Sequence, residues 1–245
     1  MVYLYDTFFY QPLLNALVAL YNSLAFQDLG LAIIFLTIAI RLILFPLFHK
    51  SVRHQVVMQR LQPELKKIQE QHAKDRERQA KAMLELYRAH RINPFSGFLL
   101  LLVQLPVLIA LYQVFSGILD PQVVAKEVYS FVHAPETLTP SFFGLLNLSE
   151  QSIFMVGLAA LAQYIQGRMA LPALRGGGHS PTDAERMGRN MVYIAPLITL
   201  VVFWQFPAAV SLYWAVSSAF SVVQQLIVNR QLAQGGIPPE AGRRE

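Results

Sequence analysis

The sequence predicts an all-α membrane protein of five transmembrane helices, N-terminus outside and C-terminus in the cytoplasm. An interfacial amphipathic helix precedes the spans, and a cytoplasmic helical hairpin follows the first of them. Three observations predict this. The 245-residue chain is 54% hydrophobic and 14% charged, and several apolar runs approach the ~20 residues that cross a bilayer. Segments 50–91, 168–189 and the stretch after 228 hold 18 of the 20 Lys and Arg, which assigns them to the cytoplasm. The opposite side holds Lys126 against six acids, Asp6, Asp28, Asp120, Glu127, Glu136 and Glu150. Orientation therefore accounts for the net charge of +5, and DNA binding need not be invoked.

Residues 1–28 contain no Lys or Arg. The opening MVYLYDTFFY has neither the basic start and small-residue cleavage site of a signal peptide nor the Arg-rich character of a transit peptide, so a bacterial plasma membrane is the expected location. Segment 12–26 is apolar, but Gln11, Asn15 and Asn22 share one helical face with Ser23 beside them, and Pro12 suits a first helical turn. This predicts a helix in the interface. At roughly 22 Å it is short for a span.

Residues 29–49 form the first span, and they contain Arg41. Counted back from His49, Arg41 lies roughly 12 Å inside at the helical rise. A guanidinium there costs about 2.5–3.5 kcal/mol, so it should face protein or water. Thr37, one turn earlier, shares its face. No other apolar span contains an Asp or Glu. An unpaired buried cation implies a wet cavity rather than a snorkelling side chain.

Segment 50–91 holds 11 Lys and Arg and 5 Asp and Glu. Val52, Val56, Leu61, Leu65 and Ile68 recur near helical period, as do Ala80, Met83, Leu84 and Tyr87 after a break at 72–75 where Asp75 can cap. Two antiparallel helices would project roughly 30 Å from the membrane. Such a basic hairpin suits anionic lipid, ribosomal RNA or a partner protein.

Asn93-Pro94 stops the hairpin and 97–118 forms the second span, with Gln104 and Pro106 inside it. Pro106 frees the carbonyl of Leu102; Gln104 either bridges helices or lines a cavity. Segment 120–150 is an extracytoplasmic connector too short to be a domain. The third span, 151–168, ends with Gln163, Gln166 and Arg168; 171–188 is a flexible loop with GGGHSPTD. The fourth, 191–206, turns through Gln205-Phe206-Pro207 into the fifth, 208–228. Both the third and fourth are short, which implies a locally thinned bilayer. On the fifth, Ser211, Trp214, Ser218, Ser221 and Gln225 recur at three- and four-residue steps, flanked by Ser217 and Gln224. Small-residue packing accounts for serines; Trp and Gln at this frequency favour a cavity wall.

The sequence has no cysteine, hence no disulfide or thiolate chemistry. Its six histidines show no metal-ligand spacing, and no phosphate-binding or nucleophile motif is present. The absence of an intramembrane acid weakens a pump or secondary transporter, and no inverted repeat of spans is visible. Neither an enzyme nor a cofactor is expected.

Several strings converge. They are Arg41-Leu42-Ile43-Leu44-Phe45-Pro46-Leu47, Leu61-Gln62-Pro63-Glu64-Leu65, Asn93-Pro94, Gln104-Leu105-Pro106-Val107-Leu108-Ile109-Ala110-Leu111-Tyr112 and Phe206-Pro207-Ala208-Ala209 running into Leu212-Tyr213-Trp214 and Gln224-Gln225. In order and spacing they resemble the YidC/Oxa/Alb family of membrane protein insertases, in the bacterial form without a large periplasmic domain. The resemblance covers 1–230 as a membrane domain with 50–91 as its hairpin, leaving 231–245 as a short flexible tail. Ala209 stands where the family often has Gly or another small residue. The tail lacks the long basic extension of ribosome-binding members.

The resemblance implies a hydrophilic groove open to cytoplasm and lipid and closed outside. Arg41 would be its charge, with Thr37, Gln104, Gln163, Ser211, Trp214, Ser218 and Ser221 contributing to it. Implied partners are nascent membrane proteins, the Sec translocon, the ribosome, the signal recognition particle receptor and membrane lipids. The competing reading is a small anion channel or transporter with Arg41 as its binding site.

Overall fold

In lipid every backbone polar group must be satisfied within its own segment or by protein, so apolar sequence becomes helix. The computed structural model describes residues 2–93, 95–135, 137–171 and 183–235. A short helix α1 (Val2–Tyr5) runs through a π-helical turn (Asp6–Tyr10) into α2 (Gln11–Ser23). Next come α3 (Leu29–Ile43), α4 (Phe45–Arg60), α5 (Gln62–Gln71), α6 (Arg76–Ala89), α7 (Ser96–Gly117) and α8 (Pro121–Glu127). A two-stranded antiparallel pair, β1 (Ser141–Phe142) and β2 (Leu146–Asn147), precedes α9 (Ile153–Ala170), α10 (Asp183–Phe203) and α11 (Ala208–Gly235).

Ser96–Gly117 and Ala208–Gln234 are each long and apolar enough to cross a membrane; α3 and α4 qualify only together, bent by 68°. That bend corrects the expectation of one helix over 29–49. Leu44 leaves the helical region at φ −84°, ψ 0°, and Pro46 stands in the first turn of α4. A proline disfavours helical backbone just before it and suits a helix start. Arg41 therefore lies in the last turn of α3, not deep within a straight helix, and the depth counted from His49 does not apply.

The main core gathers around α3. Leu14, Leu17 and Val18 of α2, Ile33 of α3, Val114 of α7, Leu148 before α9 and Ala208 of α11 are wholly buried. Where these helices lie in lipid, the gain comes from close packing rather than from removal of apolar surface from water, because lipid tails are as apolar as leucine. The long helix α11 packs most extensively on α9 and then on α3, while α10 packs on α9.

The polar face of α2 has a more specific partner than the membrane surface. Gln11 Nε2 donates to Glu127 Oε2 (3.0 Å), and Asn15 Nδ2 donates to the Gln11 (2.7 Å) and Glu127 (3.2 Å) carbonyls. Asn15 Oδ1 accepts from Tyr129 N (2.7 Å), and Asn22 Nδ2 donates to the His133 carbonyl (2.7 Å). The stripe is thus a clamp on the connector. Asn15→Leu leaves Tyr129 N and an acceptor at Glu127 unpaired, and unfolding measured in detergent should lose about 2 kcal/mol or more.

The connector forms an ordered cap. Asp28 caps α3 by accepting from Leu31 N (2.9 Å), and its second oxygen accepts from Phe143 N (2.5 Å) in the β-turn. Leu148 and Glu150 carbonyls accept from Ala209 N (3.1 Å) and Ala208 N (2.8 Å), satisfying the first donors of α11. The strand pair went unpredicted because each strand has only two residues, too few for alternation to register.

Asp75 caps α6 as the sequence predicts, accepting from Arg78 N (3.0 Å). The first hairpin arm is broken at Leu61, since Pro63 begins a new helix, α5. A second apolar cluster of Val56, Val57, Leu61, Ile92, Val228 and Leu232 seats the hairpin base on the end of α11. Two expectations move. Helix α10 starts at Asp183, so helix replaces the end of the loop expected over 171–188; residues 172–182, with most of GGGHSPTD, lie outside the described residues. Helix α11 continues to Gly235, so the tail expected from 231 begins as helix, and 236–245 lie outside the described residues.

Candidate functional site: a polar cavity around Arg41

Six helices, α3, α4, α7, α9, α10 and α11, bound a cavity of about 580 Å³. Its polar wall is built from amides and hydroxyls around one cation. Helix α3 supplies Arg41, α4 supplies Gln55 and Gln59, and α7 supplies Gln104. Helix α9 adds Gln163 and Gln166, and α11 adds Trp214, Ser217, Ser218, Ser221 and Gln225. Among the described residues, no Asp, Glu, His or Lys lines it.

Arg41 is only 8% exposed. Its Nε donates to Ser217 Oγ at 2.8 Å and Nη2 donates to the same oxygen at 2.5 Å. The guanidinium carbon lies 4.4 Å from the Phe48 ring centroid, a cation–π contact of about 0.5–2 kcal/mol. The bend at Leu44 places Phe48 of α4 against Arg41 of α3. Nη1 has no partner among the described residues, and neither does Trp214 Nε1, whose residue also lines the cavity. Buried donors of this kind are normally met by water or a ligand. No acid is ion-paired with Arg41 among the described residues.

Six of the eight sequence-predicted residues line the cavity: Arg41, Gln104, Gln163, Trp214, Ser218 and Ser221. Gln104 Nε2 donates to Tyr213 OH, and Gln163 Oε1 accepts from Thr199 Oγ1. Each glutamine therefore also bridges helices. Thr37 and Ser211 are not in the lining. Thr37 is buried and donates to the Ile33 carbonyl (2.6 Å), the usual fate of a helix hydroxyl that faces packed neighbours. Ser211 is wholly buried, its Oγ without a partner among the described residues. It stands one turn nearer the apolar end of α11 than the cavity wall.

Ser217, treated only as a flank of the stripe, is the residue that holds Arg41. Gln55 and Gln59 went unrecognised because α4 read as part of a solvated hairpin. Their four-residue spacing was the available signal. Gln59 Nε2 donates to the Ala170 carbonyl (2.6 Å), Arg60 Nη1 to the Leu232 carbonyl (3.1 Å), and His49 Nε2 hydrogen-bonds with Gln231 Oε1 (3.1 Å). These bonds bring α4 over the cavity.

The sequence model of the family described as 60Kd inner membrane protein matches residues 20–235. The chain belongs to that family. It is the YidC/Oxa/Alb family that the motifs resemble. Among its relatives, "Membrane protein insertase YidC" of Magnetococcus marinus is 32% identical over 231 residues, covering 92% of this chain and 36% of the relative. The protein of the same name from Actinobacillus succinogenes is 34% identical over 232 residues, covering 91% of this chain and 37% of the relative. That from Geobacter sulfurreducens is 29% identical over 225 residues, covering 91% and 37%. The chain thus spans little more than a third of the length of these relatives. Every cavity residue from Arg41 to Gln225 lies inside the family match. The YidC/Oxa/Alb family is one of membrane proteins and not of enzymes.

Proposed function

We propose that this chain is a membrane protein insertase that receives the polar flank of an incoming protein in the Arg41 cavity. The observation that carries the proposal is a buried guanidinium with a free N–H in a wall of amides and hydroxyls, inside a chain of an insertase family. In this reading α3 with the start of α4, α7, α9, α10 and α11 are the five spans, N-terminus outside and C-terminus inside, in a bacterial plasma membrane. The connector cap closes the outer end, and the hairpin of α4, α5 and α6 lies in the cytoplasm.

The mechanism follows from solvation. Moving a short polar segment through hydrocarbon costs several kcal/mol for each unpaired group. Cavity water, the glutamine amides and Arg41 supply partners over part of that distance. Acidic flanks gain most, since Arg41 pairs with a carboxylate. The apolar segment slides along α9 and α11 into lipid, and its burial drives release. Nascent membrane proteins are the substrates, delivered with or without the Sec translocon, the ribosome or the signal recognition particle receptor. The anion-channel reading draws no support from the family match.

Photocrosslinkers placed at Gln104, Trp214 and Ser218 should capture a nascent single-span protein during insertion. The same group at Ser211, outside the cavity, should capture much less. Absence of crosslinks from all three cavity positions, with normal insertion after depletion of the protein, would sink the proposal.

A further inference from the structure

A second cleft, of about 400 Å³, opens at the opposite end of α7 from the Arg41 cavity. It is lined by Asp6 and Tyr10 of the π-helical turn and by Tyr112, Gln113, Ser116 and Gly117 in the last turns of α7. No Lys or Arg among the described residues lines it, and residues 1–28 contain none. The Asp6 carboxylate has no hydrogen-bond or ion-pair partner among the described residues.

Asp6 and the end of α7 favour a cation in this cleft. Asp6 supplies a carboxyl group, and the 22-residue helix α7 ends here, presenting the negative end of its dipole. Tyr10 and Tyr112 offer aromatic faces, which attract ammonium groups. Glu127 lies close by: burial first, then Glu127 and Asp6, push the Tyr10 phenol upward. The wall itself is irregular, since a π-helical turn carries both Asp6 and Tyr10. Such turns are uncommon and often stand at functional sites.

The cleft also holds donors. Gln113 offers an amide and Ser116 a hydroxyl beside the anionic end. A ligand with an ammonium and a phosphodiester a few atoms apart matches both halves. In the topology proposed above the end of α7 reaches the outer interface, where lipid headgroups lie. We propose that this cleft binds the phosphoethanolamine headgroup of a phospholipid, Asp6 taking the ammonium and Gln113 and Ser116 the phosphodiester. A primary ammonium donates hydrogen bonds to a carboxylate; its trimethylated counterpart cannot.

The test uses the full chain in nanodiscs of phosphatidylglycerol mixed with either phosphatidylethanolamine or phosphatidylcholine. Retained lipid is counted by native mass spectrometry, a readout independent of insertion activity. The protein should retain one phosphatidylethanolamine with about a fivefold preference over phosphatidylcholine. Asp6→Asn should abolish the preference with an unchanged melting temperature; if that variant does not fold, Tyr112→Leu serves, and it should reduce retention. Soluble phosphoethanolamine at millimolar concentration should compete partially. Equal retention of the two lipids by the unaltered protein, or an undiminished preference in both variants, would overturn the proposal. Capture of soluble phosphoethanolamine with no retained lipid would overturn the lipid assignment.

Discussion

Arg41→Ala should slow insertion of proteins with acidic translocated flanks by about ten- to a hundredfold, while neutral-flanked proteins change little. The magnitude comes from the hydrogen bonds of a charged donor, about 1.5–3 kcal/mol net, with each 1.4 kcal/mol giving a factor of ten. Arg41 has an N–H for this purpose, Nη1, without a partner among the described residues, while Nε and Nη2 are held by Ser217. Arg41→Lys keeps the charge but loses the fork that engages Ser217 and a carboxylate together, so its effect should be milder. Ser217→Ala separates anchoring from charge: the cation stays, its orientation is lost, and acidic flanks should suffer less than in Arg41→Ala. The measurement is reconstituted insertion with paired acidic and neutral variants of one single-span substrate. Equal losses for the pair would refute a charge role for Arg41.

Gly30→Ala should destabilise the protein by about 3 kcal/mol, near the upper end for overpacking. A Cβ at this position would stand 2.8 Å from Phe142 Cβ and closer still to the ring. Because the obstruction reaches the root of the side chain, rotating Phe142 does not relieve it; the β-turn must move. That turn is tied to the start of α3 by the bond between Asp28 and Phe143 N, so its displacement also loosens a helix cap. Adding Phe142→Gly should recover most of the loss on the α3 side. Thermal unfolding in detergent reads both variants, and a Gly30→Ala protein as stable as the original would show that the cap is not packed on α3.

Much of the site was legible because membrane sequence makes polarity conspicuous. One Arg in an apolar run, a Gln before a proline and serines at helical steps on α11 stood out against hydrocarbon neighbours. What the sequence could not convey was direction in space. Thr37 shares a face with Arg41, yet its hydroxyl is satisfied by the Ile33 carbonyl. Ser217 seemed peripheral to the stripe because the arginine that uses it is 176 residues away. The polar positions of α2 were identified correctly, but polarity alone does not separate a headgroup-facing side from one gripping another loop. Pro46 was visible in the sequence. Its consequence, a 68° turn, depended on Leu44 adopting a non-helical conformation that no periodicity reports.

The composition of the Arg41 chamber carries a consequence for proton activity. Its polar wall is six glutamines, three serines, one tryptophan and one arginine. Amides and hydroxyls neither gain nor lose a proton near neutrality, and arginine keeps its proton there. Histidine or carboxylate walls would change charge with every shift in the acidity around them, and a chamber so built would couple its occupancy to pH. On the proposed function, this one would present the same field to each arriving segment. On the same reading, selectivity is left to the charge and length of the guest, and no Asp, Glu, His or Lys among the described residues of the wall would let acid open or close it.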